Sequence, residues 1–224
     1  ENEGVVGVGG VEGVDGVFHG DDPEGQGKLR GYLEEEDVAI ETGEVISEVD
    51  DDTVSIGGGE DEPPTEMGYD VLIWTGGITG RDEFADTGVE KDDRSNRVHA
   101  DQTFRTSDDR VFAIGDTALV EQGGEDVAPP TAQAAWQAAE VAGENLVRAV
   151  RGEQLRAWQF DDHGTVVSVG DDAVAHAIDM PVIGELPAGT FGGIFARNLK
   201  KVIAARWIAD VASYGRAMRA WSSL

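Results

Sequence analysis

Two neighbouring stretches decide the fold: Val111-Phe-Ala-Ile-Gly-Asp116 and Ala128-Pro-Pro-Thr-Ala-Gln-Ala-Ala-Trp-Gln137. The first begins with four apolar residues and predicts a buried strand that stops at its Gly-Asp pair. The second opens a long helix, because apolar residues recur at helical spacing from Pro130 to Val150 and Gly152 is a typical end signal. A strand, a glycine turn, a polar loop and a helix in this order are typical of an α/β fold.

The Gly-Asp pair is the first candidate for a binding site. A strand ending in Gly115-Asp116 places a carboxylate at the carboxyl edge of a sheet, where α/β proteins bind nucleotide ligands. Asp116 could accept hydrogen bonds from a polyol, and Gly115 lets a ligand approach the backbone closely. The N–H groups near Thr131 to Gln133 could face an anionic or carbonyl group. The alternative is a strand that merely ends in an Asp turn.

Upstream, the pattern predicts one helix, several short strands and a loop. The helix is Pro23–Glu36, with Asp21 or Asp22 as N-cap and with Leu29, Tyr32 and Leu33 on one face. The short strands lie in Asp37–Ile40 and Glu44–Ile56, and the loop is Glu60–Gly68. Tyr69–Trp74 is nearly continuous in apolar residues, which favours a strand buried on both faces.

Downstream of the long helix, the pattern changes to short apolar runs separated by turns. These runs predict a small antiparallel meander with strands at Trp158–Phe160, Thr165–Val169 and Ala173–Ile178.

Composition excludes several functions. The 224 residues hold 45 acidic and 17 basic side chains, for a net charge of −28, so nucleic acid is not an expected partner. The acid is spread along the chain and there are only four lysines, which predicts adaptation to molar salt, where a Debye length of about 3 Å screens self-repulsion. No cysteine is present, and the four histidines lack metal-ligand spacing, so no metal is assigned.

The last 34 residues reverse this charge balance, with six basic side chains and one acidic one. Large apolar residues recur there every three or four positions, which predicts a basic amphipathic helix that lies on an anionic membrane surface. The stripe contains Phe195, Leu199, Ile203, Trp207, Val211, Tyr214, Met218 and Trp221. The alternative is a helix packed on the protein's own acidic surface or on a second subunit.

Residues 103–116 (TFRTSDDRVFAIGD) resemble the second flavin fingerprint of the two-dinucleotide-binding-domain flavoproteins, and Ala132-Gln-Ala-Ala-Trp-Gln137 resembles the AQxAxQ motif of their type II NADH dehydrogenases (NADH:quinone oxidoreductases). The resemblance implies that Asp116, after Gly115, holds the ribityl chain of FAD. It also implies that Thr131, Ala132 and Gln133 lie beside the flavin, and that Gln133 and Gln137 face the quinone as catalytic residues. A glutamine pair on an alanine-rich helix can also be solvated surface.

Two further stretches carry the resemblance. Tyr69-Asp-Val-Leu-Ile-Trp-Thr-Gly-Gly77 is similar to the strand that returns from the NADH-binding domain, which implies that Thr75, Gly76 and Gly77 approach the nicotinamide and flavin; a plain strand and turn is the alternative. Gly7-Val-Gly9-Gly10-Val-Glu12 departs from G-x-G-x-x-G. It is interpreted as a truncated loop at Gly7–Gly10, followed by the end of the second NADH-domain strand with Glu12 as the ribose-binding acid.

The resemblance therefore implies an α/β fold of incomplete FAD/NAD(P)-binding Rossmann-like domains, followed by a small antiparallel β meander and a C-terminal amphipathic helix. The expected divisions are 1–76, part of the NADH-binding domain; 77–153, the C-terminal part of the FAD-binding domain; and 154–224, the meander and membrane-surface helix. The family's first FAD-binding unit would precede Glu1, so the chain is expected to be N-terminally truncated and related to haloarchaeal proteins.

The implied function is FAD-dependent transfer of electrons from NADH to a membrane quinone without proton pumping. The protein would lie on the cytoplasmic face of the cell membrane through Phe191–Leu224, with a homodimer as a further possibility. Sulfide:quinone oxidoreductases and disulfide reductases share the motif but use redox cysteines, which these residues lack. The remaining alternatives are a non-catalytic truncated remnant and a soluble FAD-dependent ferredoxin-type reductase.

Overall fold

A computed structural model of the chain describes residues 7–17, 22–58, 63–124, 126–180, 184–185 and 189–223. The chain packs as two compact units, one formed by Glu1–Leu72 with His163–Leu224 and the other by Ile73–Asp162. The three-domain division at 76 and 153 stays a prediction, since units of packing need not coincide with cofactor-binding domains.

The first unit begins with a strand, helix and parallel strand: β1 (Val8–Glu12), α1 (Pro23–Glu35) and β2 (Val38–Thr42). Val8 of β1 pairs with Val38 and Glu12 with Thr42, so α1 is the crossover between parallel neighbours. The helix prediction is confirmed, with Asp22 as N-cap and Leu29 buried; Asp21, the other N-cap considered, lies outside the described residues. The predicted loop at Gly7–Gly10 is wrong, because its last three residues belong to β1.

An antiparallel three-stranded sheet follows, made of β3 (Ile46–Val49), β4 (Thr53–Ile56) and β5 (Thr65–Gly68). The central strand β4 buries Val54 and Ile56. The loop predicted over 60–68 is wrong for its second half, since Thr65 pairs with Ile56 and Gly68 with Thr53. Residues 60–62 lie outside the described ranges.

The second unit contains β6 (Val98–Ala100), β7 (Ala118–Gly123), β8 (Asp126–Val127) and α2 (Ala132–Arg151). Strands β6 and β7 are parallel, and β8 returns antiparallel to β7. The long helix is confirmed: Thr131 is its N-cap, and Gly152 ends it with a φ of 67°, which glycine adopts without steric cost.

Helix α2 packs through alanines and one asparagine. Its buried residues are Ala134, Ala138, Ala142 and Asn145, whereas Leu146 and Val150 of the apolar pattern are exposed. The small side chains bring the helix close to the core of the second unit, which also contains the rings of Phe104 and Trp158, with centroids 5.4 Å apart. Packing of this unit therefore combines close approach of α2 with bulky apolar side chains.

Three predicted strands are absent from the described residues. Val111–Ile114 forms no regular strand. It makes only an isolated antiparallel bridge to the segment 104–106, in which the Ala113 N–H donates to the Phe104 carbonyl oxygen at 3.0 Å. Tyr69–Trp74 has no strand beside it, and the prediction that it is buried is wrong, since Val71 and Ile73 are both 79% exposed. Trp158–Phe160 joins no sheet, and Trp158 instead contributes its side chain to the core of the second unit.

The first unit continues with β9 (Thr165–Val169) and β10 (Asp172–His176), which confirm two strands of the predicted meander. A short hairpin, β11 (Asp179–Met180) and β12 (Gly184–Glu185), follows. The third meander strand is β13 (Thr190–Gly192), which pairs with β10 on the side away from β9.

The C-terminal segment is two helices, α3 (Ile194–Val211) and α4 (Tyr214–Ala220), so the prediction of one continuous helix is wrong. The break has a local cause: Ala212 leaves helical geometry, and the hydroxyl of Ser213 caps the second helix by accepting from the Arg216 N–H at 3.3 Å. Among the helices in the described ranges, none is long and apolar enough to cross a membrane.

The apolar stripe is divided between two environments. Leu199 is buried and Ile203 packs with it against the meander, and Arg197 pairs with Asp171 at 2.8 Å. Leu199 and Ile203 therefore match the alternative of a helix packed on the protein's own surface, whereas Phe195, the first residue of the stripe, is 58% exposed. Beyond Ile203, the large apolar side chains are exposed: Trp207, Val211, Tyr214, Met218 and Trp221.

Gly80 lies where the backbone leaves no room for a side chain. A Cβ built on it would stand 1.9 Å from the carbonyl oxygen of Asn96. We expect Gly80→Ala to lower the free energy of unfolding by about 1–3 kcal/mol, because backbone must move. Gly88→Ala in the same unit is the control, since its Cβ would meet no atom within 4 Å. Denaturant unfolding checks this, and equal stability of the two variants would contradict the close approach.

Asn145 joins α2 to two other segments from a fully buried position. Its Nδ2 donates to the carbonyl oxygens of Thr103 at 3.2 Å and Arg156 at 2.8 Å, and its Oδ1 accepts from the Arg156 N–H at 2.9 Å. We expect Asn145→Leu to cost about 2–4 kcal/mol of unfolding free energy, because three part-buried main-chain groups lose the partner that the fully buried amide supplies. Asn198→Leu, at an exposed asparagine, is the control. Thermal unfolding that shifts equally in both variants would refute this role.

Candidate functional site

The Gly-Asp pair forms a short 3₁₀ turn, Gly115–Thr117, between the extended segment 111–114 and strand β7. Gly115 has a φ of 71°, a conformation that favours glycine. The turn therefore lies at the amino end of β7. The expectation that it ends a regular strand at the carboxyl edge of a sheet is wrong, because the preceding residues pair with 104–106.

The start of α2 lies beside this turn in the same unit. The Thr131 hydroxyl caps the helix by accepting from the Ala134 N–H at 3.2 Å, and a small cleft shares its walls between the turn and the helix. The lining residues are Gly115, Ala118, Val120, Ala128, Pro129, Ala134, Ala135, Ala138 and Trp158. The structure thus places Gly115 and the first turn of α2, through Ala134 and Ala135, on one cleft, whereas Asp116, Thr131 and Ala132 are not among its lining residues. Their convergence on a flavin stays a prediction.

Two features of the turn fit a hydroxyl-rich ligand. The Thr117 hydroxyl is buried and has no hydrogen-bond partner among the described residues, and a buried hydroxyl without a partner is costly unless a ligand or water supplies one. Gly115 has no atom within 4 Å of the place where a Cβ would stand, so the backbone is open to approach. The exposed Asp116 carboxylate adds an acceptor beside them.

The two glutamines of the helix have different environments. Both amide atoms of Gln137 are bonded to the main chain of Asp161: Nε2 donates to its carbonyl oxygen at 2.6 Å and Oε1 accepts from its N–H at 3.0 Å. Gln137 therefore fastens the segment after Trp158 to α2. Gln133 lies half-buried one turn earlier on the same helix. Their roles toward a quinone stay predictions.

The other predicted cofactor residues are Glu12, Thr75, Gly76 and Gly77, and each is described within its own unit. Glu12 is the last residue of β1, in the first unit, at the carboxyl end of a parallel strand where a ribose-binding acid is expected. Thr75, Gly76 and Gly77 are exposed, and the Trp74 ring nitrogen donates to the Gly76 carbonyl oxygen at 2.9 Å. Their proposed contacts with NADH and flavin stay predictions.

Arg97, which was not predicted from the sequence, is buried beneath the turn. Its Nε donates to the Asp116 carbonyl oxygen at 2.8 Å and its Nη2 to the Ala118 carbonyl oxygen at 2.7 Å. Burial lowers the pKa of Arg97, while the charges of Asp116 and Asp92 act in the opposite direction. The only signal in the sequence is an arginine directly before an apolar β-branched residue, and it does not reveal a partner 19 positions away.

A second polar group was also missed, in the first unit. The Thr190 hydroxyl lies 2.9 Å from both carboxylate oxygens of Asp22 and 2.8 Å from His176 Nδ1, which is itself 3.0 Å from Asp22. These contacts join the start of α1 to β10 and β13. His176 is thus a structural partner as well as a surface histidine, and no sequence spacing links the three residues.

The chain has curated relatives among type II NADH:quinone oxidoreductases. The chain is 30% identical over 149 residues to the type II NADH:quinone oxidoreductase of Staphylococcus aureus (strain MSSA476), which covers 66% of this chain and 35% of the relative. It is 30% identical over 107 residues to that of Haemophilus influenzae, which covers 47% and 24%. The chain thus spans about a quarter to a third of the length of these relatives.

The fold is also that of a solved structure. NDH2 from Plasmodium falciparum in complex with NADH aligns over 96% of this chain and 57% of its own, with a TM-score of 0.68 and 13% identity. Residues 7–139, which include the Gly115–Asp116 turn and the start of α2, match the pyridine nucleotide-disulphide oxidoreductase family. The chain belongs to the pyridine nucleotide-disulphide oxidoreductase family.

Proposed function

We propose that this chain is part of a type II NADH:quinone oxidoreductase, a flavoenzyme that transfers electrons from NADH to a membrane quinone without pumping protons. FAD and NADH are the cofactors of the family and of its NADH:quinone oxidoreductase members. The observation that carries the proposal is the Gly115–Thr117 turn beside the start of α2, with a buried hydroxyl that has no described partner.

The residues of the turn would hold the flavin. The Asp116 carboxylate accepts hydrogen bonds from the ribityl hydroxyls, and Gly115 lets the polyol approach the backbone. When bound, the flavin supplies the two-electron chemistry between nicotinamide and quinone. Helix α2 contributes the N–H groups of its first turn, with Thr131, Ala132 and Gln133 beside the ring. Because the Gln137 amide is bonded to the main chain of Asp161, we propose that its main role is to hold that segment against α2, and that contact with the quinone is a secondary role.

The C-terminal helices would attach the protein to the cytoplasmic face of the membrane. The exposed apolar side chains from Trp207 to Trp221 form one candidate surface. Arg216 and Arg219 are also exposed, on the short helix α4 that carries part of this surface. Interfacial tryptophan and tyrosine with neighbouring arginines are typical of helices that lie on anionic lipid. The surface proposed for 191–224 is therefore assigned mainly to its second half, since Leu199 and Ile203 of the first half pack on the meander, although Phe195 is exposed.

The charge of −28 leads us to propose that the protein works in molar salt, as do proteins of haloarchaea. At that ionic strength the repulsion among its carboxylates is screened beyond about 3 Å. Measurements on this chain are therefore designed in molar KCl.

Replacing the proposed ribityl acceptor tests flavin binding. We expect Asp116→Ala to raise the Kd for FAD by about tenfold or more, because a charge-assisted hydrogen bond to the polyol is lost. Asp93→Ala, which removes an equal charge from an exposed position in the same unit, is the control. Equilibrium dialysis in molar KCl measures both.

An unaltered chain that binds no FAD would favour a non-catalytic remnant. FAD binding that is equally strong in Asp116→Ala and Asp93→Ala would show that flavin binds elsewhere, and the proposed site would be wrong.

Removing interfacial tryptophans tests membrane attachment. We expect Trp207→Ser with Trp221→Ser to weaken partition into phosphatidylglycerol vesicles by about a hundredfold or more, because burying each of the two large apolar side chains contributes about 1.5–3 kcal/mol. Trp74→Ser is the matched control, since Trp74 is 60% exposed but lies outside the helices. Vesicle co-sedimentation gives the partition coefficients.

If the control and the double variant partition alike, the C-terminal surface does not bind lipid. That outcome would favour a soluble flavoprotein of the ferredoxin-reductase type over a quinone reductase.

A further inference from the structure

Arg97 is a buried cation in a unit, Ile73–Asp162, whose acidic side chains outnumber its basic ones by about two to one. Its side chain is only 8% exposed, and two of its nitrogens donate to main-chain oxygens, of Asp116 at 2.8 Å and Ala118 at 2.7 Å. Both accepting carbonyls belong to the turn region: one lies in the turn itself, and the other directly follows it at the start of β7.

The strand register explains why this side chain reaches the turn. Arg97 directly precedes β6, and the first residue of β6, Val98, pairs with Ala118 at the start of the parallel strand β7. The arginine therefore starts at the same level as the turn, one strand away. Its backbone is itself held, because the Asp92 N–H donates to the Arg97 carbonyl oxygen at 2.9 Å. The guanidinium thus bridges the amino ends of two neighbouring strands.

The geometry of the two bonds requires a guanidinium. Arginine presents several N–H donors in a rigid planar fork, whereas lysine offers one ammonium on a flexible chain and cannot reproduce both contacts in the same way. Arginine also stays protonated at neutral pH although burial lowers its pKa, and the nearby Asp116 and Asp92 charges compensate part of the cost of burying it.

We propose that Arg97 is a positioning residue of the flavin site: its guanidinium fixes the Gly115–Thr117 turn so that the Asp116 carboxylate and the Thr117 hydroxyl face the flavin's polyol. This inference rests on the proposed function. Arg97 acts through the main chain of the turn and does not itself touch the flavin. Losing it leaves two carbonyls without their donors and releases the turn.

Three variants test this role: Arg97→Met removes both bonds, Arg97→Lys keeps the charge, and Arg94→Met alters an exposed arginine three positions earlier. The first readout is hydrogen–deuterium exchange of a peptide covering residues 112–120 without flavin. The second is the Kd for FAD from equilibrium dialysis in molar KCl. Both are measured well below each variant's unfolding midpoint, so that a loss of global stability does not contribute.

We expect Arg97→Met to exchange faster over 112–120 and to raise the Kd for FAD by about tenfold or more, since two hydrogen bonds from a charged donor are lost. Arg97→Lys should be intermediate in both readouts. Arg94→Met should leave both within about twofold of the unaltered chain, as is usual for a surface substitution. If Arg97→Met does not fold, the intermediate values of Arg97→Lys decide.

Two results would overturn the inference. A folded Arg97→Met variant with unchanged exchange and unchanged Kd would show that the turn does not need the guanidinium, and Arg97→Lys at the level of the unaltered chain would show that charge alone suffices. Absence of FAD binding by the unaltered chain is a different failure. It would refute the proposed function, whereas a Kd for FAD that is the same in both Arg97 variants as in the unaltered chain would refute only the role of Arg97.

Discussion

The two hydrogen bonds from Arg97 to the carbonyl oxygens of Asp116 and Ala118 are the interaction on which the candidate site depends. The turn they hold follows a segment that joins no regular strand among the described residues. A buried charge is retained here at a cost in desolvation. In exchange, the guanidinium gives the turn a defined direction beside the start of a long helix.

Buried and half-buried amides fasten the rest of this unit to α2. Asn145 bonds the main chain at Thr103 and Arg156, and Gln137 bonds both polar groups of Asp161. The chain after the helix is thereby held along α2 without forming a strand. The alanine face of the helix favours this, because small side chains let α2 approach the neighbouring backbone closely. Flavin binding, if it follows the proposal, uses a surface built by main-chain hydrogen bonds.

The sequence predicted elements whose signals are local. Helix α2 has a Thr cap, helical spacing and a terminal glycine, and α1 and the β9–β10 pair are similarly marked by turns. Predictions failed where strand pairing decided the outcome. Apolar runs at Tyr69–Trp74 and Val111–Ile114 suggested buried strands, but burial of a strand depends on neighbours that its own residues do not specify. The prediction of one continuous C-terminal helix failed for a local reason. The Ser213 cap starts a second helix although the apolar period continues through it.

The candidate site was predictable only in part for the same reason. Its glycine and aspartate are adjacent in sequence and carry a motif, while Arg97 and the Thr117 hydroxyl gain meaning only from the register of β6 and β7. The acidic composition, in contrast, can be read directly from the sequence. It indicates the salt concentration in which the protein works more than it indicates the fold.

The most direct test is a ¹⁵N–¹H NMR titration of the unaltered chain with FAD in molar KCl, which detects weak as well as strong binding. If flavin binds at the turn, we expect the amide signals of Gly115, Asp116 and Thr117 to shift together with those at the start of α2, and those of the antiparallel sheet β3–β4–β5 to stay unshifted. Signals that stay unshifted at the turn, or shifts confined to another part of the chain, would contradict the proposed flavin site.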